Sequence, residues 1–260
     1  MIKLFSASKY LTLGILFLLL KVQILVSHDD YLEKSEKQAK EILGKTVQAL
    51  GGDAFLKTQD ITSTGRFYQF RKDDLEGVGQ FYSYNKFPFK LRTEVGKKKE
   101  IVTINDGDKG WKIEYKVVKE QSSEEIRNFQ INMQHNLDYI LRFRLNEEGM
   151  KFRYLGSSRV GLDEVEGVQL IDKGDDRIKI FVNATSFLPV KMEYRSPGFG
   201  KRWPSDGEAY FHNYHEIQGV QVPFGTVRYS NGYKSAEIRL ESVKLNSGLP
   251  DSFFVASLKK

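Results

Sequence analysis

From Asp60 onward the dominant signal is an alternation of apolar and charged residues at a period of two. In "FPFKLRTEV" (Phe87 to Val95), Phe87, Phe89, Leu91 and Val95 oppose Lys90, Arg92 and Glu94. In "WKIEYKV" (Trp111 to Val117), Trp111, Ile113, Tyr115 and Val117 share one face and three charged residues take the other. Successive side chains of a strand point to opposite faces, so this pattern specifies strands with one dry and one wet surface, the mark of antiparallel pairing. Similar segments separated by Gly, Asp or Asn recur to the end of the chain, which predicts about a dozen short strands joined as hairpins. The 18 Phe and 13 Tyr suit such a pleated surface.

Two stretches break the period. From Asp30 to Leu50, Leu32, Ala39, Ile42, Leu43, Val47 and Leu50 recur at three- and four-residue steps, which predicts an amphipathic helix that "LGG" stops. A further short helical turn is expected in "DAFLKTQ". From Glu124 to Arg144, Ile126, Phe129, Met133, Leu137, Ile140, Leu141 and Arg144 follow helical spacing, with Ser122 or Ser123 as N-cap. Its dry stripe needs an apolar partner, and the sheet is the only large one. The predicted fold class is therefore α+β: an open, strongly curved antiparallel sheet or half-barrel. An N-terminal helix and an inserted helix cover its concave side.

The first 27 residues stand apart. Lys3 and Lys9 precede the apolar run Tyr10 to Leu20, and Ser27 offers a small residue for cleavage. This is the layout of a secretory signal peptide, with an uncleaved membrane anchor as the alternative. Residues 28–260 are then one exported domain. The chain has no cysteine, so its core must hold it without disulfides, and an N-terminal lipid anchor on cysteine is excluded. Losing Lys3, Lys9 and Lys21 lowers the net charge from +6 to +3, too weakly basic for a nucleic-acid partner.

Sites of chemistry are sparse. "HNYHEIQGVQVPFG" (His212 to Gly225) places two histidines three apart. On a strand they point to opposite faces, so the stretch reads as a hairpin turning at Gly219 and not as a metal site. "EVEGVQL" (Glu164 to Leu170) echoes "EIQGVQV" (Glu216 to Val222), which predicts the same glycine-centred hairpin twice. The segment Gly198 to Gly207 reads as a surface loop. No nucleotide-binding glycine loop, G-x-S-x-G or H-E-x-x-H is present, and no cofactor is implied.

"AKEILGKTVQALGG", "ITSTGRF", "NDGDKGW", "LPVKMEY", "YHEIQGVQVPF" and "VKLNSGLPDSFF" occur in this order between Ala39 and Phe254. In that arrangement the chain resembles the bacterial outer-membrane lipoprotein-sorting superfamily, the LolA/LolB-like and RseB-like group. The resemblance implies an open β-barrel with helices over its mouth and a periplasmic location. It also implies an acyl chain or other lipid held between barrel and helices, without catalytic residues. Lacking cysteine, the chain fits a soluble carrier or sensor better than the membrane-anchored receptor type. The expected function is a non-enzymatic carrier of a hydrophobic ligand with transient membrane contact. The alternative is an envelope interaction module with a protein partner. The residues expected to line the ligand site are Phe89, Leu91, Trp111, Ile113, Tyr115, Ile178 and Ile180 on the sheet, with Phe129, Met133 and Leu137 on the inserted helix.

Overall fold

The structure, a computed structural model, describes residues 30–196 and 204–256. The expected signal segment 1–27 and most of the loop Gly198 to Gly207 lie outside the described residues. Thirteen strands form one antiparallel sheet: β1 (Asp60–Arg71), β2 (Asp74–Lys86), β3 (Lys90–Val95), β4 (Ile101–Asp106), β5 (Lys109–Glu114), β6 (Val117–Glu120), β7 (Lys151–Val160), β8 (Asp163–Ile171), β9 (Arg177–Asn183), β10 (Pro189–Ser196), β11 (Ser205–Ile217), β12 (Val220–Ser230) and β13 (Tyr233–Leu245). Their order is β6-β5-β4-β3-β2-β1-β13-β12-β11-β10-β9-β8-β7. The first strand pairs with the last, so the sheet is a meander sewn together where the chain begins and ends. Its two free edges, β6 and β7, are consecutive in sequence. The segment joining them therefore has to cross the open seam of the half-barrel.

Two helices make that crossing, α3 (Ser123–Gln134) and α4 (Leu137–Phe143). The sequence pattern predicts one helix here, but the chain breaks at His135 and Asn136. Asn136 has extended backbone, and its side chain accepts from Tyr139 N, so it starts a new helix. Ser122 caps α3 through a capping box with Glu125.

The N-terminal helix α1 (residues 30–49) and the single turn α2 (Asp53–Leu56) follow the predicted pattern. Ala39, Ile42, Leu43 and Val47 form the buried stripe of α1. They join Ile140 and Leu141 of α4 and the inner-face residues Val168, Leu170, Ile178, Ile180, Val182 and Met192 in the main core. The end of α1 docks on the β11–β12 turn, where Gln221 N donates to Leu50 O at 3.0 Å. Gly51, at φ 124°, approaches Gly219 so closely that a Cβ there would lie 2.3 Å from its carbonyl oxygen. "HEIQGVQVP" thus serves packing: Gln218 and Gly219 make the tight turn, and His212 and His215 are exposed.

Two sequence expectations are corrected. "EVEGVQL" is not a hairpin, because it lies wholly inside β8, with Gly167 beneath the Phe181 ring. "WKIEYKV" is not one strand, because Tyr115 and Lys116 adopt positive φ (49° and 68°) and turn β5 into β6. A two-residue turn of this kind matches the twist of the strands it joins, and a period-two pattern runs through it unbroken.

Candidate functional site: the hollow beneath the helices

The register decides which residues face the helices. Ile104 pairs with Arg92 on one side and Trp111 on the other, so these three share a face. Leu91 and Thr93 occupy the opposite, inner face. There Phe89 and Leu91 pack against Phe129 and Met133 of α3 and Tyr139 of α4, a small apolar cluster separate from the main core. Polar tethers hold α3 over this cluster: Lys112 Nζ donates to Glu125 Oε1 at 2.6 Å, and Gln130 Nε2 to Gly107 O at 3.4 Å.

The structure brings Phe89, Leu91, Phe129 and Met133 together, and it seats Leu137, Ile178 and Ile180 in the adjoining main core. It does not bring in the other three. Trp111 and Ile113 pack on the outer face with Val102, Ile104 and Phe254, under the C-terminal turn Asp251–Phe254. Tyr115, in its turn, is 80% exposed. The shared apolar character of β3 and β5 reflects burial on both sides of the sheet, by α3 on one and by the chain's end on the other.

Between α4 and strands β10 to β13 a cavity of about 140 Å³ remains, bounded by Leu50, Leu137, Asp138, Met192, Tyr194 and Tyr214 among others. Pockets that enclose a drug-sized ligand usually measure about 300–1,000 Å³. This cavity is too small to take a long acyl chain unless the helical cover gives way. Tyr214 donates to Pro189 O at 2.8 Å, and burial, with the Asp138 charge adding to it, pushes its hydroxyl above the ordinary tyrosine range. Burial likewise raises the Asp138 carboxyl, while Arg142 one helical turn on partly opposes the shift. His135 closes the cavity rim, its ring stacked on Tyr194 at 4.6 Å.

The sequence pattern missed Asp138 and His135, which line this cavity, and Arg142, buried one helical turn beyond Asp138. Its available signal was the pair of opposite charges four residues apart inside the apolar run "LDYILRF". Among the described residues there is no group of three His, Cys, Asp or Glu arranged to hold a metal, and no helix is long and apolar enough to cross a membrane.

An open antiparallel half-barrel with helices laid across its seam defines the fold class. Three solved structures share it. A LolA superfamily protein from Nitrosomonas europaea superposes with a TM-score of 0.54 at 15% identity, covering 84% of this chain and 97% of its own. A DUF1329 family protein from Desulfovibrio piger gives 0.58 at 14% identity over 84% and 97%. An outer membrane lipoprotein-sorting protein domain from Vibrio parahaemolyticus gives 0.52 at 14% identity over 86% and 97%. The chain thus shares its fold with a LolA superfamily protein, in line with the sequence resemblance. No family model and no curated protein matches the chain at the level of sequence.

Proposed function

We propose that this is an exported, non-enzymatic binding protein that shelters the apolar chain of a lipid or lipoprotein between the inner face of its sheet and the helices α3 and α4. One observation carries the reading. The contact of α3 with the sheet, through Phe129 and Met133 on Phe89 and Leu91, is a cluster of its own, so it can open without dismantling the core. The free edges β6 and β7 leave the seam beneath it unbridged by strand pairing. At ~0.8 kcal/mol per buried methylene, a sixteen-carbon chain gains on the order of 10 kcal/mol before ordering costs, enough to displace such a cover. The fold it shares with a lipoprotein-sorting domain and a LolA superfamily protein supports the same reading.

To test it, residues 28–260 are expressed with an export signal, purified without detergent and extracted for lipid mass spectrometry. Palmitate is then titrated into the delipidated protein. Co-purifying lipid and saturable palmitate binding are expected. An empty extract together with no binding contradicts the proposal.

A further inference from the structure

Helix α4 carries a charge that packing leaves without an acceptor. Arg142 is only 9% exposed, and its Nε and Nη1 are enclosed with no acceptor. Its guanidinium rests 3.8 Å from the centre of the Phe55 ring and 4.7 Å from that of Phe87. Those ring faces favour a cation but supply no oxygen to its N–H groups. Asp138, one turn back, faces the cavity and acts on Arg142 through its charge, but no hydrogen bond joins the two.

Arg144, two residues further on, is an internal control. It is more deeply buried, at 2% exposure, yet it donates to Glu147, to Gln134 O and to Asp172. The chain can therefore satisfy a buried arginine in this neighbourhood and has not done so for Arg142. A buried guanidinium without acceptors is costly, and a carboxylate or phosphate is its best geometric match.

We propose that Arg142 receives the anionic head of the ligand, a carboxylate or phosphate oxygen of a single-chain lipid, at Nε and Nη1. The inference rests on the reading that the hollow holds an apolar chain, and it adds which end enters where. Head and tail sites are contiguous, because the turn of Phe87 and Phe89 touches both. Phe87 lies against Arg142, and Phe89 against Tyr139 in the cluster beneath α3. The head thus sits between α2, α4 and Phe87, and the chain runs from there over Phe89 and Leu91. The raised proton affinity of the Asp138 carboxyl is compatible with this, since it eases loss of the neighbouring negative charge when an anion arrives.

The experiment compares palmitate, methyl palmitate and palmitoyl lysophosphatidate by calorimetric titration of the delipidated protein, with acetate and inorganic phosphate as chain-free anions. Both anionic lipids are expected to bind at least about tenfold more tightly than the ester. Arg142→Met is expected to abolish that preference, and Arg142→Lys, which keeps the charge but not the flat fork, to reduce it. The comparison on the unaltered protein stands even if a variant fails to fold. Equal affinity for acid and ester overturns this inference and leaves the lipid-binding reading intact. Acetate or phosphate binding as tightly as the lipids also overturns it, as a free-anion site. Binding of none of the three lipids overturns both.

Discussion

His135 Nε2 donates to Asp176 Oδ2 at 2.9 Å, which fastens the corner between α3 and α4 to the turn between β8 and β9. Arg144 reinforces the same joint, donating to Asp172 Oδ2 at 2.8 Å and lying 3.7 Å from Asp176. The joint anchors one end of the seam-crossing segment, while α3 beyond it rests on a small apolar cluster and surface tethers. Such a layout lets α3 move about a fixed corner.

The joint predicts an acid limb in stability. Burial alone would raise the Asp176 carboxyl, but the His135 hydrogen bond and the nearby charges of His135 and Arg144 outweigh it and hold it below its ordinary 3.8. A depressed carboxyl contributes fully above its unfolded value and loses that contribution as the pH falls through the folded one. Asp176→Asn should therefore cost about 1–3 kcal/mol at pH 7, and the cost should shrink as the pH is lowered below 3.8, as read by urea unfolding at pH 7 and at a series of acid pH values. An equal loss at every pH would contradict this.

A second prediction concerns the outer face. The Asp60 carboxylate, 3% exposed, accepts from the backbone N–H groups of Ser247 (2.6 Å), Gly248 (2.9 Å) and Leu249 (3.2 Å). It thereby directs the chain's end across β3 to β5 so that Phe254 covers Ile104. Asp60→Ala should destabilise by about 2–3 kcal/mol and speed amide exchange over residues 247–256. Trp111, packed in the same cluster, should change its emission in this variant, read in a Trp203→Phe background.

Weakening the cap of α3 should loosen the cover. Ser122 Oγ accepts from Glu125 N at 3.3 Å, and Ser122 N donates back to Glu125 Oε2 at 2.8 Å. Lys112, followed by these Ser122 bonds, pulls the Glu125 carboxyl down to about 2, so the arrangement stays ionised at any working pH. Ser122→Ala should cost about 1 kcal/mol, raise exchange in the first turn of α3 and accelerate palmitate uptake in stopped-flow mixing. Unchanged uptake with faster exchange would show that α3 does not gate entry.

Much of this architecture is legible as periodicity. The stripe Ala39, Ile42, Leu43, Val47 gives α1, and the alternation in Leu91 to Val95 gives β3. Facing is what periodicity omits. It groups Trp111 with Ile113 but cannot say that this face meets Phe254 and not α3, because the register through Ile104 and Arg92 decides that. Turns are the second gap: "EVEGVQL" and "EIQGVQV" look alike, yet only the second has a glycine at positive φ. The site's polar members were hidden for a different reason. Asp138 and Arg142 flank the apolar helical stripe as an ordinary i,i+4 pair would, and only the missing acceptor around Arg142 in three dimensions marks the place out.

For a lipid chain to enter beneath it, α3 must leave Phe89 and Leu91. The chain has no cysteine, so Leu91→Cys with Met133→Cys places a single disulfide across that contact. Palmitate affinity is measured on this variant oxidised and then reduced. Binding is expected to be at least about tenfold weaker when oxidised and restored on reduction. Equal binding in the two states would contradict this.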